Sequence, residues 1–124
     1  SMTIAFVSGS GEMGIDGSLG HPPLPGKRSG QVLHLGCQGS YPQRCRIDLK
    51  STYSKVSFWQ TWAETGNITA FFYNTAGQLL GERTFTRSLN DAHLVEFSAI
   101  GITRIDIQIN ASDWIGLDHF SFFL

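Results

Sequence analysis

Near its N-terminus the chain carries a glycine spacing that can cradle a pyrophosphate. Residues 3–7 read TIAFV, and a Gly-x-Gly-x-x-Gly pattern begins at Gly9. Such a turn binds a dinucleotide only when a helix follows it, because the helix N-terminus holds the negative charge. Three prolines lie between residues 22 and 25, and each proline inside a helix costs about 3 kcal/mol. Nucleotide binding is therefore excluded, and residues 8–30 are predicted to form a long loop rich in glycine and proline.

Aromatic side chains offer a second kind of chemistry. The chain has 3 Trp, 3 Tyr and 9 Phe in 124 residues, more than the core of a small domain needs. Sugars present apolar C–H faces that stack on flat rings, while neighbouring amide, carboxylate and guanidinium groups bind the hydroxyls. The candidate rings are Trp59, Phe71 and Tyr73 on a sheet face, or else Tyr41, Trp62 and Trp114 at loop ends. Burial in the core is the alternative for each tryptophan, because tryptophan is usually largely buried.

A catalytic site would need reactive side chains grouped in a recognisable pattern. The four histidines are scattered, and no Gly-x-Ser-x-Gly nucleophile motif occurs. No spacing pairs two acidic residues for glycoside hydrolysis. Asp and Glu are mostly exposed and Asp favours turns, which accounts for these acids without catalysis. We therefore expect a protein that is not an enzyme.

Two cysteines, Cys37 and Cys45, flank the short segment QGSYPQR. If that segment turns a hairpin, the two residues lie opposite each other within the Cα separation that a disulfide needs. A disulfide between Cys37 and Cys45 is the prediction, and a pair of reduced structural thiols is the alternative. Because disulfides persist in oxidising compartments, the bridge indicates a secreted or periplasmic protein.

The hydrophobic pattern that must position these residues has a period of two from Gln31 onward. Turn residues recur about every 8 to 12 residues, which is typical of short strands in a sandwich or barrel. The clearest strand is 102–109, where alternate isoleucines face the core and the polar residues between them face outward. We predict about nine strands and no significant helix, with two antiparallel sheets packed in one domain over residues 1–124. Ser1–Met2 is interpreted as a cloning remnant.

The same alternation assigns faces to two further stretches. In residues 53–62 and 68–74, Trp59, Phe71 and Tyr73 fall on the sides opposite the smaller apolar residues. If the smaller set faces the core, the three rings face outward on adjacent strands and form an aromatic patch. A shift of one residue in the loop between the two stretches would exchange the faces.

The charge balance limits the classes of partner. Nine basic and 10 acidic residues give a net charge of -1, which leaves no electrostatic footprint for nucleic acid or an anionic membrane. No apolar run approaches the about 20 residues of a membrane-spanning helix. We expect neither nucleic acid nor a membrane as a partner.

Three stretches in the second half of the chain resemble a known class of domain. NITAFFYNTAGQLLG, FSAIGITRIDIQI and WIGLDHFSFFL resemble the C-terminal half of bacterial exported jelly-roll domains, among them carbohydrate-binding modules of the galactose-binding class. The resemblance implies a jelly-roll β-sandwich that is a non-catalytic carbohydrate-binding module or lectin-like domain. Its partner would be a glycan or polysaccharide, and it would be a monomeric module of a larger secreted, periplasmic or cell-surface protein. A structural or protein-interaction domain of an exported surface protein is the alternative, and a small hydrolase ranks third.

The closing stretch contains an acid, Asp118, in a strand that is otherwise apolar. The change of parity between Leu117 and Phe120 predicts a β-bulge that re-aims this carboxylate. In jelly-roll modules of the class that this chain resembles, an acid on the closing strand commonly joins an acid of the N-terminal segment around a structural calcium. The resemblance therefore implies a calcium site formed by Asp118 with Glu12 and Asp16. The alternative is that Asp118 accepts hydrogen bonds from the bulge itself.

Overall fold

The computed structural model of the chain describes residues 2–16, 32–63, 67–87, 92–110 and 114–124; side chains are described from residue 42 onward, except at residues 61, 62, 114 and 119. Antiparallel strands make up nearly all of these residues. They are β1 (Met2–Asp16), β2 (Val32–Ala63), β3 (Ile68–Tyr73), β4 (Leu79–Thr84), β5 (His93–Ile109) and β6 (Trp114–Phe123). The predicted all-β fold is confirmed. The described ranges contain no helix, and hence none that is long and apolar enough to cross a membrane.

The first sheet is organised around the middle of β2. Residues 44–48 pair with the start of β1 on one side and with residues 104–108 of β5 on the other. The opposite edge of that part of β5 pairs with β3, which in turn pairs with β4. The order of the first sheet is therefore β1-β2-β5-β3-β4.

The second sheet uses other parts of the same strands. Residues 55–63 of β2 pair with the start of β5 on one side and with β6 on the other, and β6 also pairs with residues 33–36 at the start of β2. The long strands bend between the two sheets. In β2 the register shifts after Asp48, and in β5 the bend contains Gly101, whose φ of 81° favours glycine. Strands that pass from one layer to the other in this way form a jelly-roll sandwich.

The inner faces of the two sheets enclose one hydrophobic core. Ile68, Ala70 and Phe72 of β3 are fully buried in it. The Phe72 ring of the first sheet stacks on the Phe97 ring of the second, with centroids 4.4 Å apart and 13° between the planes. A Cβ at Gly81 would lie 2.6 Å from Phe97 Cε1. The Phe97 ring therefore fills the space that a side chain on β4 would need.

The strands differ from the prediction in number and in where the first one ends. The turn signals predict about nine short strands, but β1, β2 and β5 each continue through a bend, which leaves six strands among the described residues. Residues 8–16, expected to lie in the loop, belong to β1 and pair with β2. Register shifts between Phe6 and Glu12 accommodate the glycines there. Residues 17–31 of the predicted loop lie outside the described residues.

The predicted disulfide between Cys37 and Cys45 is wrong. Both residues lie on β2, and Cys45 is a free thiol buried in the core. Eight residues of extended strand span about 26 Å, whereas a disulfide needs Cα atoms within about 7 Å. The segment between the cysteines forms no hairpin because it pairs with β1 instead. Without the bridge, the cysteines do not indicate an oxidising compartment.

Cys45 is expected to resist thiol reagents in the folded protein. Burial, with a smaller contribution from the negative charge of Asp106, raises the pKa of its thiol to about 12, and only the thiolate reacts. Treatment with iodoacetamide followed by mass spectrometry should modify Cys45 only after unfolding in urea, and without any reductant. Rapid modification of the native protein would contradict this burial, and a need for reductant would reinstate the disulfide.

Candidate functional site

The outer face of the first sheet carries a cluster of arginine, aromatic and polar side chains. On β5 the isoleucines are buried at alternate positions, so the polar residues between them share the outer face, as the sequence predicted. The register sets Arg44 of β2 opposite Gln108 and sets Arg104 opposite Tyr73 of β3. We call the following set the arginine–aromatic face: Arg44, Phe71, Tyr73, Arg104, Asp106 and Gln108.

Asp106 lies at the centre of this face and is fully buried. Arg44 donates from Nε to Oδ2 at 2.9 Å, and Arg104 donates from Nε and Nη2 to Oδ1 and Oδ2 at 2.8 Å each. Burial favours the neutral acid, but the hydrogen bonds and charges of Arg104 and Arg44 outweigh it and hold the pKa of Asp106 below its ordinary value of 3.8. The carboxylate is therefore ionised and fixes both guanidinium groups.

The same two guanidinium groups lie over the two outward-facing aromatic rings of β3. Cζ of Arg44 is 4.7 Å from the Phe71 ring centroid, and Cζ of Arg104 is 4.3 Å from that of Tyr73. Arg44 also donates from Nη2 to the Tyr73 hydroxyl at 2.6 Å and from Nη1 to Oε1 of Gln108 at 2.7 Å. These bonds tie the planar groups into one layer whose geometry exists before any ligand arrives.

The arginine–aromatic face remains accessible to solvent. The side chains of Arg44 and Arg104 are 23% and 25% exposed, and Phe71, Tyr73 and Gln108 are half-buried. Nη1 of Arg104 makes no hydrogen bond to any described residue, so its two N–H groups can donate to a ligand. The layer therefore combines flat surfaces with hydrogen-bonding groups.

Trp59 faces outward, as predicted, but does not join Phe71 and Tyr73. It is half-buried and lies between the buried residues Phe58 and Gln60. Its part of β2 pairs with the start of β5 and with β6, and not with β3. Trp59 is therefore on the outer face of the second sheet, on the other side of the sandwich. The predicted patch on adjacent strands is wrong because β2 changes sheets before this point.

The other candidate rings are placed only by their backbone positions. Tyr41 lies within β2. Trp62 pairs with Gly116 of β6, and Trp114 precedes Gly116 by two residues, so positions 62 and 114 are diagonal neighbours on adjacent strands. The side chains of Tyr41, Trp62 and Trp114 lie outside the described residues, and their part in binding stays a prediction.

The bulge predicted beside Asp118 is confirmed. Ser57 pairs with Ser121 and Trp59 pairs with Asp118, so β6 holds one extra residue between these two pairs. Asp118 is half-buried and is engaged with other groups of the protein.

The residues of the predicted calcium site are placed only in part. Glu12 and Asp16 are four residues apart on β1, and four residues of extended strand span about 13 Å. Asp16 pairs with Val32, next to the position that pairs with Leu117, so it lies nearer the row of Asp118 than Glu12 does. The side chains of Glu12 and Asp16 are outside the described residues. Among those described, no three His, Cys, Asp or Glu form a metal-binding group, and the calcium site stays a prediction.

A cleft of about 300 Å³, which no sequence pattern indicates, lies between β4 and the start of β5. Its lining residues are Gln60, Arg83, Thr84, Thr86, His93, Leu94, Val95 and Glu96. β4 is the last strand of the first sheet, and among the described residues the start of β5 is the last strand of the second. The cleft therefore follows an open side of the sandwich. Local patterns could not reveal it, because it depends on which strands end each sheet.

Solved structures share this architecture. A family 61 carbohydrate-binding module in complex with β-1,4-galactotriose is 18% identical, with a TM-score of 0.57 over 98% of this chain and 87% of that chain. A fucose-binding module of Streptococcus pneumoniae is 17% identical, with a TM-score of 0.52 over 74% of this chain and 69% of that chain. The K2 cleaved adhesin domain of Lys-gingipain is 11% identical, with a TM-score of 0.67 over 99% of this chain and 90% of that chain. No protein-family model and no curated protein matches the chain.

Identities this low establish likeness of fold. The resemblance drawn from three stretches of sequence is confirmed at that level, because carbohydrate-binding modules are among the matching structures. The chain is an all-β, antiparallel jelly-roll sandwich of the kind found in carbohydrate-binding modules.

Proposed function

We propose that the chain is a carbohydrate-binding domain and that it binds a glycan on the arginine–aromatic face. The observation that carries this proposal is the position of Phe71 and Tyr73, which lie outside the core under guanidinium groups held by Asp106. The structural neighbours support the ligand class, since one is in complex with galactotriose and another is described as fucose-binding.

Binding on this face combines stacking with hydrogen bonding. The partly exposed rings and guanidinium groups are each planar, so the C–H face of a sugar ring can lie against them and remove apolar surface from water. Arg104 donates to hydroxyls from its remaining N–H groups, and the Gln108 amide, which is bonded to Arg44, lies on the same face of β5 beyond Asp106. Because Asp106 already holds both arginines, few side-chain rotamers are lost when the glycan binds.

The same geometry favours binding without catalysis. General acid catalysis at a glycosidic bond requires a carboxylic acid that is protonated and within reach of the leaving oxygen. Asp106 is ionised, fully buried and bonded to two arginines, so it can neither donate a proton nor reach a substrate. We therefore propose a non-catalytic module, acting within a larger secreted or surface protein where polysaccharides are met.

Replacing Tyr73 with alanine is expected to weaken glycan binding by about 1–3 kcal/mol, or roughly 5- to 150-fold. The change removes the ring that supports the Arg104 guanidinium and the hydroxyl that accepts from Arg44. Trp59→Ala is the matched control, because it removes a half-buried outward ring on the other side of the sandwich. A glycan array identifies the ligand for the wild type, and isothermal titration calorimetry then compares the variants.

Three results would each lead to a different conclusion about the glycan site. A loss with Trp59→Ala and none with Tyr73→Ala would move the site to the second sheet. Equal losses in both, together with altered circular dichroism, would indicate misfolding, which Tyr73→Phe separates because it keeps the ring. A wild-type protein that binds no plant, bacterial or animal glycan would contradict the proposed function.

A protein-interaction domain of a surface protein is the second candidate. The likeness to an adhesin domain covers nearly the whole of both chains and has a TM-score of 0.67, which favours this alternative. A negative glycan screen with a correctly folded wild-type protein would select it over carbohydrate binding.

A further inference from the structure

We propose that the cleft between β4 and the start of β5 is a second binding site, which holds a single neutral sugar ring such as the end of a glycan chain. The ligand class rests on the proposed function, whereas the site rests on the geometry of the cleft. Its volume of about 300 Å³ is at the lower end of the range for small-molecule sites, about 300–1,000 Å³.

The floor of the cleft is rigid. Gln60 is 1% exposed, and its amide bonds to both backbone groups of one residue: Nε2 donates to the Thr86 carbonyl, and Oε1 accepts from the Thr86 N–H at 3.1 Å. The amide thus pairs with residue 86 as a neighbouring strand would. The segment that follows β4 is held in place as one wall of the cleft.

Arg83 of β4 supplies hydrogen-bond donors on the same side of the cleft, and two hydrogen bonds already hold its side chain in place. Nε donates to the Glu96 carbonyl at 3.1 Å and Nη1 donates to the Glu82 carbonyl at 2.9 Å. Cζ lies 5.0 Å from the centroid of the Phe97 ring, which is itself stacked on Phe72. Nη2 makes no hydrogen bond to a described residue, so two N–H groups remain for a ligand. A ligand that uses them meets a side chain whose freedom is already restricted.

The facing wall supplies acceptors and an apolar surface. The Glu96 side chain is 44% exposed, with Oε2 3.2 Å from Nζ of Lys55. His93 is half-buried at the cleft, and Leu94 is 46% exposed there.

A neutral sugar ring fits this arrangement because it carries both an apolar C–H face and hydroxyls that donate and accept. Charge selects against other ligands of the same size. The lining carries one guanidinium, on Arg83, and one carboxylate, on Glu96, so it has no net charge to attract an anionic or a cationic ligand. The cleft therefore suits a polyol rather than an acidic or amino sugar.

The test is a titration of the whole chain with neutral methyl glycosides of galactose, glucose, mannose and fucose at millimolar concentrations. Amide proton–nitrogen spectra should show shifts at residues 83–86 and 93–96. Glu96→Gln is expected to lower the affinity roughly tenfold, because it replaces a charged acceptor with a neutral one. Lys55→Met is the matched control, since it breaks the same ion pair but keeps the carboxylate, and its affinity should stay within about twofold.

Each result tests sugar binding in the cleft separately from glycan binding on the arginine–aromatic face. Shifts confined to residues 69–73 and 104–108 would overturn the cleft and leave the proposed function standing. Shifts in the cleft alone would support this inference and leave the arginine–aromatic face to the Tyr73 comparison on longer glycans. Equal losses with Glu96→Gln and Lys55→Met, or no shift at either place, would overturn the cleft, and the Tyr73 comparison on longer glycans would still decide the proposed function.

Discussion

Replacing Asp106 with alanine is expected to lower the free energy of unfolding by about 3 kcal/mol. The carboxylate is fully buried and accepts three hydrogen bonds, from Arg44 Nε and from Nε and Nη2 of Arg104. Removing it leaves two guanidinium groups side by side without their shared counter-charge. Because those side chains are still 23% and 25% exposed, water offsets part of the loss, which places the effect at the lower end for a buried ion pair.

Two further variants separate the buried charge from ordinary surface pairing. Asp48→Ala removes an exposed partner of Arg46, whose ion pair has side chains 43% and 45% exposed, and should cost less than about 1 kcal/mol. Asp106→Asn keeps the shape and one carbonyl acceptor, so its loss should fall between the two. Urea unfolding followed by circular dichroism measures all three. Equal losses for Asp48→Ala and Asp106→Ala would show that Asp106 is not buried as described.

The ion pairs of Asp106 with Arg44 and Arg104 also predict how the free energy of unfolding depends on pH. The pKa of Asp106 is lower in the folded protein than its ordinary value of 3.8, so in acid the unfolded chain binds its proton first. The stabilisation is therefore complete above the unfolded pKa and is lost as pH falls through the folded pKa. The difference in unfolding free energy between wild type and Asp106→Asn should shrink below about pH 4. A difference that stays constant across this range would contradict the ionised pair.

The arginine–aromatic face shows how far the sequence could predict the candidate site. Alternation alone correctly put Phe71 and Tyr73 outward and the isoleucines of β5 inward. It could not identify Arg44 as a partner of Asp106, because the two residues are 62 positions apart and meet only through the pairing of β2 with β5. For the same reason the sequence predicts Asp106 to be an exposed surface acid. A residue on an outer face is nevertheless buried when long side chains of neighbouring strands cover it.

The errors in the fold have a common physical origin. A two-residue period marks the faces of a strand but carries no information on whether the strand continues through a bend or ends in a turn. The sequence predicts a hairpin between Cys37 and Cys45, yet this segment continues as β2 along β1. Likewise the alternation places Trp59 beside Phe71, although β2 has already crossed to the second sheet at that point. Local pattern predicted the parity of these residues, and the long-range pairing decided their neighbours.

Phe72→Ala and Phe71→Ala make the same chemical change at adjacent positions on opposite faces of β3, and we expect very different losses. Phe72 is fully buried and stacks on Phe97 at 4.4 Å, so its truncation removes one ring contact between the two sheets and leaves a cavity. Losses for such a change are about 3–5 kcal/mol. Phe71 is half-buried beneath Arg44, 4.7 Å from Cζ, and its truncation should cost about 1 kcal/mol, chiefly from the cation–π contact.

Urea unfolding of the two variants tests the register of β3 directly. A slip of one residue would exchange the two faces, so a larger loss at Phe71 than at Phe72 would contradict the described packing. If Phe72→Ala fails to fold at all, Phe72→Leu supplies the comparison, because leucine keeps most of the apolar volume and should retain a measurable transition. Measuring glycan affinity gives an independent test. Phe71→Ala should weaken glycan binding with little loss of stability, and Phe72→Leu should lower stability with little effect on glycan binding. The inner ring then reports on the sandwich, and the outer ring reports on the ligand.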